Sequence, residues 1–180
     1  MKRAVFLDRD GVVNRALVIG GIPMPPRNLE EVEILDGVKE AIRLLHERNF
    51  VVVVVTNQPD VARGVATQES VELINCYLSR ELEINHFYTC FHDDPDGCDC
   101  RKPRPGLLKD AAQDLNLDLY KSFMVGDRWR DIAAGHAAGC QCFFIDYGYL
   151  EKSPVSPFTK VSSLIEAIRL ILENPDDTIS

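Results

Sequence analysis

Nothing in this sequence is apolar for long. The longest aliphatic run, Val51–Val55, falls far short of the roughly 20 residues that a membrane-spanning helix needs. Only four apolar residues separate Met1-Lys2-Arg3 from Asp8, too few for the apolar stretch of a signal peptide. A basic excess is also missing: 20 Lys and Arg stand against 28 Asp and Glu, a formal net charge of −8. Nucleic acid and anionic membrane surfaces both demand a basic face, so neither is expected as a partner. There is no internal repeat, no low-complexity tract and no insertion large enough for a second domain. The expected compartment is the cytoplasm, whose reducing conditions turn the six cysteines toward metal binding or catalysis rather than disulfides.

What is present suits one globular domain over residues 1–180, with 46% hydrophobic and 27% charged residues, expected as a monomer. Ala4 to Leu7 is a short apolar run ending at Asp8, and Phe50 to Val55 is a β-branched run of the kind buried on both faces of a sheet. Phe87–Phe91, Ser122–Val125 and Gln141–Ile145 read as further strands. Helices are expected after Asp36 and Thr67, from Gly106 to Leu115, over 130–138, and from Leu164 to Leu172, the last with Ser163 and Glu166 spaced as a capping box. Residues 16–34, with Gly20, Gly21, Pro23, Pro25 and Pro26, read as a loop, and the tail after Pro175 as frayed. Strands alternating with helices imply an α/β fold: a doubly wound, Rossmann-like parallel sheet of about five strands with helices on both faces. Ligands bind at the C-terminal ends of such strands.

The polar residues fall at those ends. Strand one runs into Asp8-Arg9-Asp10-Gly11, strand two into Thr56-Asn57-Gln58, strand four into Gly126-Asp127 with Asp131 four residues on, and Arg101-Lys102-Pro103 follows strand three. Each alone has a plain reading: turn or cap carboxylates, a strand-end hydroxyl, a solvated lysine, an Asp131 that pairs with Arg128. Together they suit phosphoryl transfer. A carboxylate can attack phosphorus covalently but repels a phosphate dianion, so cations are needed. Mg²⁺ accepts carboxylates and carbonyls, and Asp8, the Asp10 carbonyl and Asp127 are suitable ligands. Lys102 adds a charge and Thr56 a donor, Asp10 is placed to move a proton, and Gly11 allows a sharp turn.

These motifs resemble, in order and over nearly the whole chain, those of the haloacid dehalogenase superfamily in its phosphatase branch. The resemblance implies that Asp8 is the nucleophile and Asp10 the general acid and base. It implies that Thr56 and Lys102 hold the phosphoryl group, Asp127 completes the magnesium site, and Asp131 supports it from behind.

A second constellation is Cys90-Phe91-His92, then Cys98-Asp99-Cys100. Three cysteines and a histidine at this spacing match a closed, structural zinc site. The alternatives are a strand cysteine beside a surface histidine, or a Cys90–Cys98 disulfide. Cys76, Cys140 and Cys142 read as small buried hydrophobes.

The zinc loop, with Asp-Arg-Asp-Gly, Thr-Asn-Gln and Cys-Asp-Cys-Arg-Lys-Pro, resembles D-glycero-D-manno-heptose 1,7-bisphosphate 7-phosphatases and the related histidinol-phosphate phosphatases, both without a large cap. That implies a small phosphorylated metabolite as partner, a sugar bisphosphate first and histidinol phosphate second, with Arg101 recognising substrate. Asn57, Gln58, Arg63 and Arg128 are further candidate substrate contacts. Trp129 either stacks on a sugar or covers the helix start. A receiver-like module that only accepts a phosphoryl group is the reading from another class; it would have no use for Asp10 or the zinc loop.

Overall fold

The computed structural model describes residues 1–173, and the frayed tail expected after Pro175 lies outside them. Six parallel strands form one sheet in the order β5-β4-β1-β6-β7-β8. They are β1 (Ala4–Leu7), β4 (Val51–Asn57), β5 (His86–Cys90), β6 (Phe123–Gly126), β7 (Gln141–Ile145) and β8 (Thr159–Val161). The sheet thus has one strand more than the five expected. The segment expected to be a loop contains a separate antiparallel hairpin, β2 (Leu17–Ile19) with β3 (Ile22–Met24), turned by Gly20 and Gly21 at positive φ.

Alternation along the central strands builds two cores, as a pleated sheet requires. Val5, Leu7, Val52, Val54 and Val125 face α1 (Val38–Glu47), α2 (Gln68–Leu82) and α5 (Leu164–Glu173). Phe6, Val53, Val55 and Met124 face α3 (Gly106–Leu115) and α4 (Trp129–Ala138).

The caps refine the sequence reading. Thr67 caps α2 through the Ser70 amide (3.2 Å). α1 begins just after Asp36, as expected, with Gly37 as its N-cap at φ +79° and no side-chain bond. At α5 the Ser163 hydroxyl accepts from the Glu166 amide (3.3 Å) while the Glu166 carboxylate reaches Ser162 rather than Ser163. Cys140 and Cys142 are buried, but Cys76 is exposed, because it lies just off the buried α2 stripe of Val71, Ile74, Leu78 and Leu82.

The chain leaves β1 for β4 and β5 on one side, then crosses back to β6, β7 and β8 on the other. The direction reverses between β1 and β6, which opens a crevice at the C-terminal ends of those strands.

Candidate active site

The four sets of polar residues converge on that crevice. The Lys102 ammonium, 2% exposed, donates to Asp8 Oδ1 (2.8 Å), Asp131 Oδ1 (2.7 Å) and the Val55 carbonyl (2.8 Å). Three N–H groups meet three acceptors, so the ammonium is satisfied. Asp131 also accepts from the Arg128 amide (3.0 Å) at the start of α4, where a carboxylate complements the helix dipole. It therefore meets Arg128 only through the backbone. The Arg128 guanidinium turns to Glu151 (2.5 and 3.0 Å).

Asp127 is the exception. Both its oxygens are buried and neither meets a donor at full hydrogen-bond geometry; the Tyr149 phenol approaches as a weak donor and offsets only part of the burial. Gly11 passes directly over this carboxylate at φ +101°, and a Cβ there would lie 1.9 Å from Asp127 Oδ2. Asp8, Asp127 and Asp131 bring oxygens within 4.8 Å of one another. Burial and then the Asp131 charge raise Asp8 to about 6 against the pull of Lys102. Burial, Asp8 and Asp131 push Asp127 well above the usual carboxylate range. Burial alone would lower Lys102, but Asp131 and Asp8 outweigh it and raise it. With Asp131 engaged by Lys102 and the Arg128 amide, the weakly bonded Asp127 beside Asp8 fits a hard divalent cation.

Asp10 is held by four donors. Arg9 Nε and an Arg9 terminal nitrogen reach its two oxygens at 3.1 Å each, Asn14 Nδ2 adds a bond at 3.0 Å, and Gln58 Nε2 one at 2.7 Å. Gln58 also donates to the Thr56 hydroxyl (2.9 Å). The Asn57 amide closes a reciprocal pair with the Lys102 backbone, Nδ2 to O at 2.9 Å and N to Oδ1 at 3.1 Å. Asn57 and Gln58, expected as substrate contacts, thus bond to Lys102, Asp10 and Thr56, and Asn57 also lines the cavity.

Above these residues opens a cavity of about 240 Å³ whose lining includes Asp8, Asp10, Thr56 and Lys102. Its lining also carries Arg63, Arg101, Arg128 and Arg130, with Asp60 and Asp94. The acidic loop faces inward here. Asp93 takes two bonds from Arg63 (2.6 and 2.8 Å), and Asp94 takes Arg101 (2.8 Å) and Arg130 (3.2 Å). The Arg63 bond first, then the Asp94 amide, hold Asp93 near 2. Trp129 meets Lys152 Nζ at 3.5 Å and the Arg130 guanidinium at 4.8 Å over its ring, so two cations lie against it.

The second constellation also closes. Cys90 Sγ lies 3.0 Å from Cys100 Sγ and 3.7 Å from Cys98 Sγ, and His92 Nδ1 lies 3.4 and 3.6 Å from Cys100 and Cys90. A zinc tetrahedron with Zn–S near 2.3 Å has edges of about 3.8 Å, so these four side chains fit such an ion, and all six cysteines are free of disulfides.

Several of these participants escape sequence reasoning. Nothing in the sequence assigns a role to Arg9 or Arg130, and the pairing of Asp93 and Asp94 with rim arginines is a tertiary fact. Asn75 left a readable trace: an amide on the apolar stripe of α2, one residue from Ile74.

Comparison with known proteins agrees with this geometry. A family profile described as haloacid dehalogenase-like hydrolase matches residues 26–139. The D-glycero-beta-D-manno-heptose-1,7-bisphosphate 7-phosphatase of Yersinia pestis is 38% identical over 148 residues, 75% of each chain. The enzyme of the same name from Escherichia coli K12 is 38% identical, over 75% of this chain and 74% of its own. The crystal structure of D,D-heptose 1,7-bisphosphate phosphatase from B. bronchiseptica, complexed with magnesium and phosphate, superimposes with a TM-score of 0.83 at 30% identity, over 96% of this chain and 99% of that one. Among the described residues, no helix is long and apolar enough to cross a membrane. The chain belongs to the haloacid dehalogenase-like hydrolases.

Proposed function

We propose that this phosphomonoester hydrolase works through an aspartyl-phosphate on Asp8 and removes one phosphate from a sugar bisphosphate, with heptose 1,7-bisphosphate and its 7-phosphate as the leading case. Asp8 and Asp127 with the Asp10 carbonyl would hold Mg²⁺, which supplies charge neutralisation between nucleophile and phosphate. Asp8 attacks phosphorus, Asp10 protonates the leaving oxygen, and Asp10 then deprotonates the water that cleaves the intermediate. Lys102 and Thr56 donate to the oxygens of the transferring group. Zinc would be structural only, since all four of its ligands come from the loop.

The observation that carries the substrate reading is the convergence of four guanidinium groups, Arg63, Arg101, Arg128 and Arg130, on one cavity, each held in place by Asp60, Asp93, Asp94 or Glu151, in a protein that is acidic overall. A second phosphate would meet guanidinium groups there, whereas the cationic amine of histidinol phosphate would be repelled. The relatives named for heptose bisphosphate support the same choice. The test is phosphate release from both compounds side by side, with Arg101→Ala and Asp8→Asn. The sugar bisphosphate should lead in kcat/KM by at least about tenfold. Arg101→Ala should narrow that lead, and Asp8→Asn should lower kcat by about 10⁶. A lead for histidinol phosphate overturns the substrate; near-normal turnover by Asp8→Asn overturns the covalent route.

A further inference from the structure

Arg9 is 0% exposed, a full arginine in the protein interior that lies between Asp8 and Asp10 in the sequence. A buried guanidinium is costly unless its donors are used. Here Nε and one terminal nitrogen reach Asp10 at 3.1 Å each, and the other terminal nitrogen donates to Asn75 Oδ1 at 2.9 Å. Asn75 in turn donates to the Thr89 hydroxyl (3.1 Å), one residue before Cys90. The Arg9 carbonyl accepts from the amides of Val13 (2.9 Å) and Asn14 (3.1 Å), so the turn beyond Asp10 closes back onto the same residue.

This is a two-point grip. A planar fork engaging both oxygens fixes the plane of a carboxylate, which one bond cannot do. The fork is itself fixed from behind, by an amide on α2 that is anchored to β5. Without the fork, only Asn14 and Gln58 would hold Asp10, and its carboxylate could turn among other rotamers.

We propose that Arg9, backed by Asn75, is the positioning residue that orients the Asp10 carboxyl for proton transfer. The proposal rests on the role of Asp10 given above. Arg9 does not line the cavity, so it acts through Asp10 and not on substrate.

The test is single-turnover phosphoryl transfer to the Mg²⁺-loaded enzyme from an alkyl phosphate and from an aryl phosphate whose leaving group needs no proton. Wild type, Arg9→Met, Arg9→Lys, Asn75→Leu and Asp10→Asn are compared, each checked for a native melt. General acid–base catalysis contributes typically 10²–10⁴-fold. Arg9→Met should therefore lose about 10²-fold or more on the alkyl phosphate, but less than about tenfold on the aryl one, with KM nearly unchanged. Arg9→Lys should recover part of the alkyl rate. Asn75→Leu leaves Arg9 and every cavity residue in place and should show the same selective loss, about three- to tenfold. It carries the test if Arg9→Met does not fold. Equal losses on both substrates in Arg9→Met, or in Asn75→Leu where that variant carries the test, overturn the proposal, because a merely structural defect does not distinguish leaving groups. If Asp10→Asn itself shows no such distinction, the role of Asp10 fails first; if Asp10→Asn shows it and the Arg9 and Asn75 variants do not, Arg9 alone is refuted.

Discussion

Asp127 shows how a residue can be wrong for the fold and right for the chemistry. Its two buried oxygens meet no donor at full hydrogen-bond geometry, and it shares the crevice with Asp8 and Asp131. An ionised carboxylate without partners is far costlier to bury than an amide of the same shape. Asp127→Asn should therefore stabilise the metal-free protein while destroying catalysis, the exchange expected where a site is tuned for function. We expect the metal-free melting temperature to rise by about 2–12 °C, from roughly 1–3 kcal/mol at 2–4 °C per kcal/mol for a chain of this size. Mg²⁺ should raise the melting temperature of wild type and leave the variant unmoved. Thermal melts with and without MgCl₂ decide it: a variant that responds to Mg²⁺ as wild type does would show that Asp127 is not a ligand. Gly11 belongs to the same logic, since its missing Cβ is what lets the turn lie over this carboxylate.

At the scale of elements, the loop from Cys90 to Cys100 does more than bring three cysteines and a histidine together. It carries Asp93 and Asp94, which fasten Arg63, Arg101 and Arg130 at the cavity rim. Little apolar surface is available in that loop to order it by burial, so a metal staple would set the placement of three arginines at once. Cys98→Ser should lower bound zinc from about one equivalent toward none. KM for a sugar bisphosphate should rise about tenfold or more, with a smaller change in kcat, because the rim binds and does not react. Elemental analysis alongside steady-state kinetics checks this, and an unchanged KM in zinc-free protein would separate the loop from recognition. The same loop marks the boundary of what the sequence discloses. The meeting of the crevice carboxylates was legible because Asp8 and Asp127 each follow a buried strand, and the Cys and His cluster because its spacing is short. The pairing of the acidic loop with the rim arginines was not, since it joins residues as distant as Asp94 and Arg130. β8 escaped because it is three residues long, largely exposed, and lies at the sheet edge. The β2–β3 hairpin was hidden by Pro23, which reads as a strand breaker but is tolerated in a two-stranded ribbon. Asn57 and Gln58 were placed correctly by the strand end, yet their amides turned out to face Lys102, Asp10 and Thr56.

For the whole molecule, these local charges predict how stability follows pH. Two sets of carboxylates oppose each other. Asp93, Asp94, Glu33, Asp146 and Glu166 are lowered by cationic or hydrogen-bonding partners, so their contribution is present above the ordinary carboxylate pKa and is lost as pH falls. They are largely exposed, and solvent screens what they supply. Asp8 and Asp127 are raised by burial and by neighbouring carboxylates. A raised acid binds its proton more tightly when folded. Below the unfolded value, 3.8 for Asp8, both states are protonated and no penalty applies; as pH rises toward the folded value of about 6, the unfolded chain ionises freely and the folded one does not. The metal-free protein should therefore lose stability between about pH 4 and 7, against the usual rise over that range. At about 1.4 kcal/mol per pKa unit, Asp8 alone accounts for roughly 3 kcal/mol, or on the order of 5–10 °C in melting temperature. A divalent cation favours the ionised carboxylates, so saturating Mg²⁺ should reverse the slope and make stability rise with pH. Melts of chelated and Mg²⁺-loaded protein at pH 4.5, 5.5 and 7 measure both slopes. Parallel curves in the two conditions would mean that the buried carboxylates are not where the metal acts, and that the weakly bonded oxygens of Asp127 have another cause.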